Sequence, residues 1–259
     1  MSAPVSITTV CDLTVPWVPF RRALCAVLPH AAKDKEDSIP QLIRVRIYAR
    51  PDRVYVAASD RFTVALALVE TLVPPDEEHH LDLAPDEVRK ILAVFPERKD
   101  ELDYTLQLVA STEQLEVRDV SGMVDGERLA VNLLPYSDDF PNLPLTLARY
   151  AHREPVESSR PAFPLEFLAR FKPALKCWGE SNVRLSMIGL SSGLVLVGEH
   201  FIGAVTGVNE SEDIDADRAA WATCLADDLP PLDRMAGVIN ITDWATEVEP
   251  DHPTEGDPS

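Results

Sequence analysis

Three stretches of the chain place apolar residues at helical spacing close behind a proline. The first begins at Pro19 and carries Phe20, Leu24, Val27 and Leu28. The second begins at Pro85, with Val88, Ile91, Leu92 and Phe95, and the third at Pro164, with Leu165, Leu168, Phe171 and Leu175. Steps of three and four residues put these side chains on one helix face. A proline in the first helical turn gives up no hydrogen bond that the helix could use. A further proline falls late in each stretch, at Pro29, Pro96 and Pro173, so the helices should be short or kinked.

Behind each helix the period changes to two. Ile43, Val45 and Ile47 alternate with Arg44, Arg46 and Tyr48; Val54 and Val56 follow the Pro51-Asp52 turn, and a further run spans Thr63 to Leu68. The second block holds Leu102, Tyr104, Leu106 and Leu108, then Leu115 and Val117, then Leu129, Val131 and Leu133. The third holds Val183, Leu185 and Met187, then Leu194 and Leu196 past a Ser191-Ser192-Gly193 turn, then Phe201 to Val205. Such alternation between turns predicts antiparallel strands with one buried face. The unit is therefore helix plus three strands, written three times. Short lead-in strands are expected at Ser6–Val10, His80–Leu83 and Pro161–Phe163. Tyr136 to Arg160, rich in Pro, Asp and Ser, reads as a linker. From Asn209 onward fourteen acids face two bases, Arg218 and Arg234, and the end of this stretch reads as disordered. The part from Ala219 to Trp244, with Trp221, Leu225, Leu229 and Ile239, carries enough apolar residues to pack.

Charge changes the picture. The net charge of -19 argues against a nucleic-acid partner if taken as an average. The bases are not spread evenly, however. The helical windows Trp17–Lys35, Pro85–Lys99 and Pro164–Cys177 hold eleven bases against five acids, so the helices are positive inside an acidic protein. Lys and Arg also simply suit solvent-facing helix positions. The alternative is that Arg21, Arg22, Arg89, Lys90, Arg170, Lys172 and Lys176 form one basic surface for a phosphate backbone. No zinc-finger spacing or base-reading motif accompanies them.

The local residues resemble those of the bacterial DNA polymerase sliding clamp, the beta-clamp family. Val56-Ala57-Ala58-Ser59-Asp60-Arg61-Phe62-Thr63-Val64-Ala65 resembles the family's Ala-Thr-Asp-Gly-His-Arg-Leu-Ala-type strand and turn. Asp138-Asp139-Phe140-Pro141-Asn142-Leu143-Pro144 is similar to its Phe-Pro-Asp-Tyr stretch, and Phe163 to Val208 looks like a final clamp repeat. The resemblance implies an α+β fold of DNA-clamp-like repeats, with helices on one face of antiparallel sheets. It implies a complete two-repeat domain over residues 1–150, a second domain over 151–245 with one clear repeat, and an acidic disordered tail at 246–259. It further implies a processivity factor that encircles double-stranded DNA as a homo-oligomeric ring. Such a factor tethers DNA polymerase and other replication proteins and does no chemistry itself. The alternative is a non-encircling clamp-like protein that regulates a replication clamp or polymerase. Carried over residue by residue, Ser59, Arg61, Phe62, Thr63 and Val64 would edge a pocket for partner peptides, with Val205 and Val208 opposite. The chain departs from the pattern in having only three recognisable repeats and Arg61-Phe62-Thr63 where the family has Gly-His-Arg.

Other chemistry has little support. His79-His80 sits in a turn and offers no ligand set, and Asp213-Ile214-Asp215-Ala216-Asp217 lacks the glycine and glutamate of a calcium loop. No phosphate-binding glycine loop or nucleophile elbow occurs, so neither metal, cofactor nor enzymatic activity is expected. Trp221 and Trp244 read as tail anchors. Cys11, Cys25, Cys177 and Cys224 are scattered, which suggests reduced, mostly buried thiols in a cytoplasmic protein without a leader or membrane span.

Overall fold

The first two repeats of the chain exchange strands. The computed structural model describes residues 9–33, 39–97, 104–123, 126–156, 162–189, 191–207 and 214–224. In chain order the elements are β1 (Cys11–Pro16), α1 (Trp17–Val27), β2 (Val45–Ala49), β3 (Val54–Ser59), β4 (Thr63–Val69), β5 (His79–Leu83), α2 (Pro85–Val94), β6 (Thr105–Ala110), β7 (Gln114–Asp119) and β8 (Arg128–Asn132). There follow α3 (Leu143–Ala151), α4 (Leu165–Ala169), α5 (Lys172–Trp178), β9 (Arg184–Gly189), β10 (Ser192–Val197), β11 (Phe201–Thr206) and α6 (Ile214–Cys224). The first two repeats each run strand, helix, strand, strand, strand. Yet β1 leaves its own repeat to pair with β6, with Cys11 opposite Ala110. In return β5 pairs with β2, with Leu83 opposite Val45. Two antiparallel sheets result, one in the order β1-β6-β7-β8 and the other including β5-β2-β3-β4. Bridges Thr14–Val73 and Leu83–Leu133 join their corners. Neither repeat completes a sheet without a strand from the other.

The third repeat extends one of these sheets. Strand β11 pairs with β4, Val205 opposite Thr63, and brings β10 and β9 with it to make seven strands. This junction requires a glycine. A Cβ on Gly203 would meet the Val64 carbonyl oxygen at 2.7 Å and the Phe171 ring at 2.5 Å. Ahead of β9, the Val156 N–H donates to the Met187 carbonyl at 2.8 Å. The lead-in strand expected near Pro161–Phe163 is not formed at Ala162 and Phe163, and Pro161 lies outside the described residues.

The prolines act as the sequence predicts. Pro85 opens α2, which stops at Val94, ahead of Pro96. Pro173 sits in the first turn of α5, so the third helical stretch is divided into α4 and α5. Gly179, at φ +69°, ends α5 in the left-handed conformation that glycine adopts without strain. Helix α1 lies between α2 and α5. Its apolar face, with Trp17, Phe20 and Leu24, enters a core shared with Ile47, Phe95, Leu106 and Phe171. The Trp17 ring meets Phe20, Phe95 and Tyr104 edge-on or tilted. Burying a large apolar side chain of this kind stabilises the fold by roughly 1.5–3 kcal/mol.

The opposite face of the seven-stranded sheet departs from expectation. Strand β2 is buried on both faces, not one. The stretch read as a linker contains α3, whose Leu143 and Leu147 pack on Leu66, Leu194 and Ala204. The side chain of Asn142 caps the helix by accepting from the Leu145 N–H at 3.0 Å. Helices therefore cover both faces of this sheet. Beneath the approach to α3 lies a buried ion cluster. Arg46 donates to both carboxylate oxygens of Asp82, at 2.7 and 2.8 Å, and Arg44 adds a contact at 2.8 Å. The same guanidinium groups hold the incoming chain, Arg44 through the Pro135 carbonyl and Arg46 through that of Ser137. Arg46 also stacks over Phe140 at 4.5 Å and Tyr136 at 4.9 Å.

Residues 1–209 form one unit and residues 210–259 another. In the second, α6 is described, and its Trp221 is 65% exposed. Residues 225–259, with Trp244 and the rest of the expected packing segment and tail, lie outside the described residues. No helix among the described residues is long and apolar enough to cross a membrane.

Candidate nucleic-acid interface

Helices α2, α1 and α5 carry most of the bases that the sequence assigns to a DNA surface, and the structure sorts those bases into three kinds. Arg21 and Arg170 are built into the fold. Arg21 reaches from α1 to the end of α2, where it donates to the Leu92 and Phe95 carbonyls at 2.7 and 3.2 Å. Those carbonyls lack intrahelical partners, so Arg21 acts as a cap for a neighbouring helix. Arg170, between α4 and α5, pairs with Asp60 in the β3–β4 turn, donates to Thr63 Oγ1 at 3.2 Å and covers the Phe167 ring. It thereby ties the third repeat to the first.

Arg89 and Lys90 on α2 are exposed but paired one turn back, with Asp86 and Glu87. Such exposed pairs are worth little and open readily to a competing phosphate. Lys172 and Lys176 on α5 are exposed and carry no ion pair among the described residues, while Arg22 on α1 is half-buried beside Cys177. Among the seven assigned bases, the exposed charge without an ion pair to a described residue therefore lies on the α5 side of the layer.

The residues assigned to a peptide pocket surround the β3–β4 turn and its junction with β11. Asp60 and Ser59 organise the turn. Asp60 Oδ1 accepts from the Thr63 N–H at 2.8 Å and the Thr63 hydroxyl at 2.9 Å, and Ser59 Oγ donates to the Thr63 carbonyl at 2.9 Å. Arg61 adopts φ +84°, a conformation costing roughly 1 kcal/mol or more for a residue with a Cβ. The strain presents Arg61 and Phe62 at the surface, with Phe62 38% exposed and stacked on Phe167 at 5.1 Å. Ser59, Thr63 and Val205 are buried. Val205 belongs to the core under the helices, whereas Val64 packs on the α3 side. The assigned residues thus divide between the two faces of the sheet, with Arg61 and Phe62 the clearly accessible ones. Val208 lies outside the described residues. None of them lines the cavity of about 530 Å³ that opens beside α2, between Leu28, Lys33, Ile43, Pro85 and Arg89.

Sequence reasoning missed the tie between Asp60 and Arg170. The signal was faint: an acid beside the turn motif and a base between two apolar helix faces, far apart along the chain. His79 and His80 fall in β5, where His80 stacks on Tyr136, meets Tyr48 edge-on and contacts Glu78 at 3.2 Å.

No family model matches the chain, and no curated protein matches it in sequence. Solved structures do match its fold. The DNA polymerase III beta subunit of Thermotoga maritima superimposes with a TM-score of 0.56 at 14% identity, covering 80% of this chain and 67% of that one. A putative beta subunit from Eubacterium rectale gives 0.59 at 8% identity, over 81% of this chain and 68% of that one. The DNA polymerase sliding clamp of Bacillus subtilis gives 0.53 at 11%, over 80% and 67%. At these identities the likeness is one of fold, and it spans about two thirds of the matched chains. The repeats of helix and antiparallel strands, joined edge to edge through β4 and β11, share the fold of about two thirds of the bacterial DNA polymerase sliding-clamp chain.

Proposed function

We propose that this chain is a DNA sliding clamp, a processivity factor that encloses double-stranded DNA and tethers replication proteins without catalysing a reaction. The observation that carries the reading is the row of helices α2, α1 and α5 on one side of sheets that continue from repeat to repeat. Lys172 and Lys176 are exposed on this row, and Arg89 and Lys90 join them by exchanging carboxylates for phosphates. Contacts of this kind are independent of base sequence, so a ring held by them slides. In this reading residues 1–150 are one full domain and 151–245 a second, followed by a tail at 246–259. Several copies close the ring in the cytoplasm. Arg61 and Phe62, with Ser59, Thr63, Val64, Val205 and Val208 around them, receive the peptides of a polymerase and other replication proteins.

The test is topological. Retention on nicked circular DNA, with release once the circle is cut, is the outcome expected of a ring. Replacing Arg22, Arg89, Lys90, Lys172 and Lys176 by Ala should weaken association and flatten its salt dependence by about 0.9 in slope for each phosphate left without a cation. Unchanged binding by that variant would overturn the DNA surface. A second reading, a non-encircling regulator of another clamp or a polymerase, is favoured by the internal use of Arg21 and Arg170. Capture of a clamp or polymerase with equal indifference to circular and linear DNA would select it.

A further inference from the structure

The four cysteines do not share one environment. Cys11 is buried, its thiol pushed up to about 11 by burial and then by Asp12. Cys224 is exposed on α6. Cys25 and Cys177 are half-buried, one on α1 and one on α5, and their thiols lie within hydrogen-bonding reach of each other. No local pattern along the chain joins them, because they belong to the first and third repeats. Two helices packed on a common core hold both backbones in place, so the pairing is a property of the fold.

We infer that Cys25 and Cys177 form a reversible oxidation site, at which a peroxide closes a disulfide between the first and third repeats. The two thiols are chemically unequal. The hydrogen bond from Cys177 brings Cys25 down to about 7; burial and Glu97 oppose this, and Arg21 assists it. The same hydrogen bond and burial push Cys177 up, so its proton is retained. Near neutral pH Cys25 thus supplies the thiolate and Cys177 the resolving thiol. The Cys25 thiolate attacks one oxygen of hydrogen peroxide, the O–O bond breaks, and hydroxide leaves and is protonated to water. Cys25 is then a sulfenic acid. Cys177 gives up its proton and attacks the Cys25 sulfur; the S–O bond breaks and a second water departs. Two thiols and one peroxide become one disulfide and two waters, with two electrons passing from sulfur to peroxide. Half-burial lets a small oxidant enter from solvent, and the partner thiol is already in place to stop further oxidation of Cys25.

The site is tested on the full chain with one equivalent of hydrogen peroxide, alkylation of the remaining thiols, and peptide mass mapping without reductant. The expected product is a linked peptide pair containing Cys25 and Cys177, two hydrogens lighter than the separate peptides and parted again by dithiothreitol. In Cys177→Ser the resolving thiol is gone, and Cys25 should accumulate as a sulfenic acid trapped by dimedone. The mapping uses the unaltered protein and so does not depend on the variant folding. Full alkylation of both cysteines after peroxide would overturn the inference. So would a Cys25 linked to a second copy, or one oxidised to sulfinic acid beside a free Cys177. The result is independent of whether the chain encloses DNA.

Discussion

The two faces of the seven-stranded sheet are buried by different means. Beneath α1, α2 and α5 the core is apolar and aromatic, with Trp17, Phe20, Phe95 and Phe171 fully buried. Beneath α3 the apolar cluster is smaller and adjoins a buried carboxylate held by two arginines. The first face is held by area removed from water, which tolerates imperfect geometry. The second depends on matched charges, and fails sharply when one partner is removed.

The largest expected effect breaks the second face. Asp82→Ala leaves Arg44 and Arg46 buried without their carboxylate and should destabilise the protein by roughly 3–5 kcal/mol in urea unfolding. A change below about 1 kcal/mol would mean that Pro135, Ser137 and the aromatic rings satisfy the arginines on their own.

Acid should break the first face instead. His30 is fully buried against Phe171 and Phe201, and neither ring nitrogen has a well-formed hydrogen bond among the described residues. Burial holds it neutral, lowering its pKa to about 3 from 6.5. The unfolded chain takes up this proton below about pH 6.5 and the folded chain does not, so stability should decline as pH falls from about 6.5 toward 3. His30→Leu should remove up to one proton from that dependence, read from unfolding midpoints at pH 7 and 4.5. Identical pH dependence in both proteins would show that His30 is not the group responsible.

The smallest effect sharpens the comparison. Asn142→Ala removes the cap of α3 and should cost about 1 kcal/mol. It should also raise amide hydrogen exchange in α3 while leaving α1 protected. Equal loosening of both helices would mean that the two faces unfold as one.

The contrast also explains what could be read from the chain. The helices behind Pro19, Pro85 and Pro164, and the strands that follow, were legible because each buries one side at a regular period. Period two says which residues share a face but not whether a second layer covers the other, so Arg44 and Arg46 read as solvent-facing. Helix α3 was hidden by the prolines and acids before it, although Asn142 and the Leu143–Leu147 spacing marked it. Among the bases, Arg21 and Lys172 look alike in sequence. What separates them is a pair of carbonyls at the end of another helix, which no local pattern reveals. The Arg61-Phe62 turn was placed by resemblance; the positive φ that displays it came from the structure.

The exchange of first strands sets an order of events during synthesis. Strand β1 emerges early, but its partner β6 is made only after the rest of the first repeat and all of α2. Until then Cys11 to Pro16 has no strand to pair with, although β2, β3, β4 and β5 are already made and can pair with one another. Contacts spanning so much sequence form slowly, and an unpaired strand edge invites other chains. Translation that stalls before β6 therefore leaves a sticky fragment on the ribosome, whereas a stall after β8 leaves both exchanged strands paired.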